Sequence, residues 1–144
     1  MKRFVLAVAA LAIAATGVVA QDVIAQRRAL MKTNGDQAKI GTAMSKGEVP
    51  FDLAKAQAIF VSYADAADKM PSLFPENSKT GGDTAAHPKI WESKADFDAK
   101  MKKFGDDAKA AQAKVKDLDS FKATYAEVMR NCGGCHETYR IKKS

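Results

Sequence analysis

Cys132-Gly133-Gly134-Cys135-His136 gathers both cysteines and one of the two histidines of a 144-residue chain into five consecutive positions. On a helix, positions i, i+3 and i+4 lie on one face, so this spacing turns two thiols and an imidazole to the same side. Thiols so spaced can add to the two vinyl groups of one porphyrin, and the imidazole that follows reaches the iron as its proximal ligand. C-x-x-C-H is the attachment signature of c-type haem, and haem attachment is the chemistry these residues fit. Gly133 and Gly134 leave room for the macrocycle close to the backbone, at a cost of about 1 kcal/mol each in helix stability. The competing readings are weaker. A thioredoxin-like dithiol wants a βαβ context, and no strand-like alternation is present. A disulfide is compatible with an oxidising compartment, but closing so small a loop contributes little. A zinc site would need one more ligand, and the other histidine, His87, precedes Pro88 in a loop and reads as exposed.

The elements that must position this motif are helices. The chain is rich in Ala and Lys, with only 4 Pro and 9 Gly, a composition that favours helix. Leu53, Ala56, Phe60, Tyr63, Ala67 and Met70 recur at spacings of three and four. So do Phe97, Met101, Phe104, Ala108, Ala111, Val115 and Leu118, and then Phe121, Tyr125, Val128, Cys132, Cys135 and Tyr139. Each series is the apolar stripe of a core-facing helix. A first helix, from about Asp22 to Lys46, places Ile24, Arg27, Met31, Ala38 and Thr42 on one face, with Asn34-Gly35 as a turn signal in its middle. Gly47-Glu48-Val49-Pro50 separates it from the second helix, and Pro71 to Pro88 is a long irregular stretch. Ser93-x-x-Asp96 resembles a capping box opening the third helix, and Lys116–Asp119 links tightly into the fourth. The fold class is all-α, an antiparallel four-helix bundle, with one long loop of the kind that often covers a functional site.

Met1-Lys2-Arg3, an apolar run from Phe4 to Val19, and small residues in Val18-Val19-Ala20 have the anatomy of a secretory signal peptide over residues 1–20. The run is short of the ~20 residues a spanning helix needs, and no second stretch approaches it, so no transmembrane segment is expected after cleavage. Residues 21–144 then form one domain. Lys2 and Arg3 are the only charged residues of the leader, so its removal lowers the formal net charge from +6 to +4. That charge is spread, Lys and Asp alternating through residues 93–116, which reads as a solvated face. It supplies neither the basic patch nor the aromatic platforms of a nucleic-acid binder. Glycine-rich phosphate loops and triad-like arrangements are also absent, so no enzyme class is indicated.

In an antiparallel bundle the end of the fourth helix lies level with the start of the first, the end of the second and the start of the third. Met31, Met70 and Met101 are therefore at a depth to face the iron opposite His136, whereas Met44 is at the far end and Met129 shares the helix of His136. Met70 and Met101 also complete apolar stripes. Arg27, one turn before Met31, is a candidate to meet a haem propionate, with Arg28 as its rival. Trp91, Phe97 and Tyr63 are candidate haem-packing aromatics. Arg140, one turn after His136, is either a tuning charge or a solvated helix-end cation.

The chain resembles the class II cytochromes c, which include cytochrome c-prime. The resemblance rests on Cys132-Gly133-Gly134-Cys135-His136 near the C-terminus, on Tyr139-Arg140 after it, and on Arg27-x-x-x-Met31 in the first helix. It implies an up-down-up-down bundle around one haem c, with periplasmic or membrane-bound redox proteins as partners. It also implies pairing of two copies through the first two helices in many members. Most cytochromes c-prime keep the iron five-coordinate, and a low-spin branch takes a methionine from the first helix. Residues 29–35 and 88–92 look like that branch, which makes Met31 the sixth ligand. The expected function is a periplasmic electron carrier. The alternative is a five-coordinate protein that binds nitric oxide or carbon monoxide.

Overall fold

The computed structural model describes the backbone of residues 2–142 and the side chains of residues 20–142. The leader expected at 1–20 falls outside the described side chains but for Ala20. Four long helices carry the fold, α1 (Lys2–Lys46), α2 (Leu53–Lys69), α4 (Lys94–Lys114) and α5 (Leu118–Tyr139), with a single turn of helix, α3, at Lys89–Glu92. Among the described residues the one strand-like pairing is an isolated bridge between Ala86 and Arg140.

Local chemistry sets most of the helix ends. α1 closes in a Schellman motif: Gly47 takes φ +75°, its N–H donates to Met44 O and that of Glu48 to Ala43 O. α2 opens at Asp52, whose carboxylate accepts from the Lys55 N–H at 3.0 Å. α5 opens on a capping box in which Asp117 accepts from Ser120 N at 2.8 Å and Ser120 Oγ accepts from Asp117 N at 3.0 Å. The box expected at Ser93 and Asp96 does not form. Ser93 makes no side-chain cap bond, because α3 feeds straight into α4 and Asp96 instead accepts from Tyr139 Oη at 2.5 Å. Nor does Asn34-Gly35 break α1, and the helix begins before Asp22. Asp36 accepts from both Lys32 and Lys39, at 2.8 and 3.1 Å, and such pairs one turn apart brace the helix across the weak point.

α1 packs on α2 and α5, α2 on α4, and α4 on α5. Tyr125 Oη donates to Ala38 O at 2.7 Å and accepts from Thr42, while Met31 and Cys135 meet one cluster further along. Numbering thus runs in opposite senses on α1 and α5, as an up-down-up-down bundle requires. α1 approaches α5 so closely that a Cβ at Gly41 would stand 2.5 Å from the Tyr125 ring. The main core, around Met44, Phe60, Tyr63, Phe104, Phe121, Tyr125 and Val128, fills the end nearest the two short connections. Leu53, expected on its stripe, is 40% exposed; Phe51, just before α2, instead meets Phe121 of the core.

Candidate haem site

The opposite end of the bundle holds a second cluster. Met70, Phe74, Ile90, Phe97, Met101 and Tyr139 are buried together, and Leu30, Met31, Trp91 and Cys135 pack against them from α1, α3 and α5. Phe74 meets both Phe97 and Trp91 edge-on, and Phe97 meets Tyr139 likewise. Met70 and Met101 are sealed in, 2% and 5% exposed, whereas Met31 is only partly buried at the cluster's edge. Tyr63, another expected haem-packing aromatic, lies in the main core, tilted against the Phe104 ring, and its Oη donates to Met129 Sδ at 3.8 Å.

α5 presents the motif to this end. Cys132 and Cys135 are free and half-buried, and burial raises both thiols above their ordinary pKa, so both stay protonated near neutrality. The Lys100 ammonium pulls against that rise at Cys135. His136 is half-buried, and burial together with the positive charge of Arg140 lowers its pKa. The imidazole is thereby kept neutral, the form that binds a metal. α5 ends at Tyr139, one turn after His136. Gly133 and Gly134 are exposed, and a Cβ on either would meet no protein atom within 4 Å.

The long loop is tied down at both ends of its course. His87 N–H donates to Tyr139 O at 2.9 Å and Ile141 N–H to Ala85 O at 2.8 Å, which joins the loop to the end of α5. From α1, Arg27 reaches into it. Nη1 donates to Leu73 O and Ser78 Oγ, both at 3.1 Å, and Nη2 to Ser78 O at 2.9 Å and Thr84 Oγ1 at 3.0 Å. All four terminal N–H groups are therefore committed to the loop, and Nε–H is what remains for another acceptor. The guanidinium lies 4.6 Å from the Phe74 ring centre and 5.8 Å from that of Trp91. Trp91 in turn donates Nε1–H to Phe74 O and Pro75 O at 3.0 and 3.2 Å. Ser78 is fully buried, and neither it nor Thr84 is singled out by sequence reasoning. Their partner stands 51 and 57 residues away, and no local pattern marks such a pairing. Arg28, the rival cation, instead pairs with Asp83 at 2.9 Å in the open.

These residues fit a haem. The two thiols are not joined to each other, the His136 pKa is lowered by burial, and an apolar ring-lined cluster adjoins Cys135. Arg27 is 5% exposed and has no carboxylate partner among the described residues. Buried charges are normally paired, so a propionate is the kind of group this cation lacks. Bundle and motif together define a c-type haem protein of the helical-bundle class. The chain belongs to the cytochrome c' family, whose match covers residues 22–140. It is 50% identical over 119 residues to a cytochrome c' of Rhodopseudomonas palustris, covering 83% of this chain and 82% of that one. A cytochrome c-556 of Agrobacterium fabrum is 40% identical over 119 residues, covering 82% and 80%. The solved structure of cytochrome c' from Rhodopseudomonas palustris superposes with a TM-score of 0.83 at 51% identity, covering 85% of this chain and 98% of that one.

Proposed function

We propose that the protein is a periplasmic electron carrier holding one haem c, with Cys132 and Cys135 as thioether anchors, His136 as proximal ligand and Met31 as sixth ligand. Haem, when bound, supplies the one-electron couple. The chain's own residues do the rest. Cys132 and Cys135 fix the group to α5, neutral His136 offers its ring nitrogen, and the Phe74, Phe97 and Trp91 rings keep water away. Arg27 holds the loop over this end and offers Nε–H and its uncompensated charge to a propionate. The observation that carries the reading is that Met31 of α1 and Cys135 of α5 pack against the same buried cluster. A thioether ligand would raise the potential, and His136 and Met31 both held to the group would leave little to rearrange on electron transfer. The product is a carrier rather than an enzyme.

Residues 1–20 act as the export leader in this reading, residues 21–144 form the cytochrome domain, and the partners are redox proteins of the periplasm or its membranes. Among the described residues no helix is long and apolar enough to cross a membrane. Ile40 on α1 and Val61 on α2 are 43% and 48% exposed and support pairing of two copies through these helices. A five-coordinate protein that binds nitric oxide or carbon monoxide is the second reading, favoured by the 50% identity to a protein named cytochrome c'. Optical spectra of both redox states, with and without carbon monoxide, separate the two. The His/Met reading expects a low-spin spectrum that added carbon monoxide leaves unchanged, and a high-spin spectrum that shifts with the gas would overturn it.

A further inference from the structure

The inward stripe of α1 runs through Ile24, Arg27, Met31, Ala38 and Thr42, and the step missing from it is Asn34. Neither Asn34 nor Gly35 favours helix, yet α1 passes through both and no turn is made there. Asn34 is partly buried. Its Oδ1 is the one buried side-chain nitrogen or oxygen without a hydrogen-bond partner among the described residues. Buried polar atoms are normally satisfied, so this amide wants a partner that the folded polypeptide does not supply. Its polar neighbours on the stripe are already committed. One turn on, Ala38 O accepts from Tyr125 Oη, which also bonds Thr42. Two turns back, Arg27 is spent on the loop.

Depth along α1 points the amide at one group. Ala38 meets Tyr125 of α5, and Met31 packs against the second cluster together with Cys135. Asn34 therefore lies between the main core and the candidate haem site. Residues three apart on a helix have Cβ atoms about 5–6 Å from each other, and helical side chains lean toward the N-terminus. The Asn34 side chain accordingly leans toward Met31. A thioether that gives one sulfur lone pair to a metal keeps a second, which accepts a hydrogen bond. A half-turn of the amide about its soft terminal torsion brings Nδ2–H to where Oδ1 stands. We propose that Asn34 is a positioning residue for the sixth ligand: its Nδ2–H donates to Met31 Sδ and keeps the thioether turned to the iron. This role rests on Met31 being that ligand.

The test reads imidazole binding to the ferric holoprotein in the visible spectrum. Imidazole takes the sixth position only when Met31 leaves it, so its apparent affinity reports the fraction of open sites. Asn34→Leu keeps the bulk, removes the donor and is a better helix former. It should bind imidazole about tenfold tighter, the size of one ordinary hydrogen bond. Asn34→Gln retains a donor and should stay within about threefold of wild type. In a Met31→Ala background, Asn34→Leu should change the affinity less than about twofold, because the thioether through which it acts is gone. Unchanged affinity in Asn34→Leu, an equal change with and without Met31, or Asn34→Gln matching Asn34→Leu would overturn the role of Asn34 and leave the axial assignment standing. If Met31→Ala by itself leaves imidazole affinity at the wild-type value, Met31 is not the sixth ligand, and the His/Met reading falls together with the role of Asn34.

Discussion

At the scale of single residues, Met31 and Arg27 carry the account's specific claims. Met31→Ala removes the proposed sixth ligand without touching the buried methionines of the second cluster. The holoprotein should turn high-spin and bind carbon monoxide, as followed in the visible spectrum. A variant that stays low-spin would move the ligand to another side chain. Arg27→Gln strips the loop of most of the four bonds from the guanidinium. Hydrogen bonds from a charged donor are worth about 1.5–3 kcal/mol each at most, and they are not additive. The expected loss in urea unfolding of the holoprotein is about 3 kcal/mol, and a change below a few tenths would show that the loop is held without Arg27. The two cysteines and His136 stand out in the sequence as candidates because haem attachment dictates their spacing. Arg27 was legible as a candidate but not in its structural use, since its acceptors Leu73, Ser78 and Thr84 are supplied by an irregular loop far along the chain.

At the scale of elements, the helices follow from periodicity and the exceptions have local causes. The stripes of α2, α4 and α5 were readable because each buries one face against two neighbours. The failures sit at ends, where Ser93 yields its capping role to α3 and Phe51 rather than Leu53 meets the core. Asn34-Gly35 misleads because helix-bracing lysines and tertiary packing override a two-residue turn preference. Glycine substitutions test this scale. Gly41→Ala must push the Tyr125 ring aside and should cost about 1–3 kcal/mol in urea unfolding. Gly133→Ala meets no protein atom and should gain up to about 1 kcal/mol from helix propensity. If Gly133→Ala instead blocks haem incorporation, the macrocycle lies against that backbone after all.

At the scale of the whole molecule, ion pairs and caps set the pH range of stability. Hydrogen bonds from Lys32 and Lys39 hold Asp36 below its ordinary pKa of 3.8, and those from Ser120 do so for Asp117. A carboxylate lowered on folding stabilises above its unfolded pKa, and that contribution is lost as pH falls through the folded value. Lys32 and Lys102 are raised above 10.5 by Asp36 and Asp106, so their contribution is lost as pH climbs through the folded values. Unfolding free energy of the holoprotein should therefore be level between these limits and fall on either side. Asp117→Asn, which keeps a capping oxygen, should soften the acid limb, and an unaltered limb would remove Asp117 from the explanation.

The central claim is that two thiols on α5 hold a haem through covalent bonds, and the intact mass of the exported protein tests it most directly. Protein purified from cells able to mature c-type cytochromes, denatured in acid and weighed whole, should show residues 21–144 plus one haem. A mass equal to the polypeptide alone, or to the polypeptide less the two hydrogens lost in a disulfide, would contradict it.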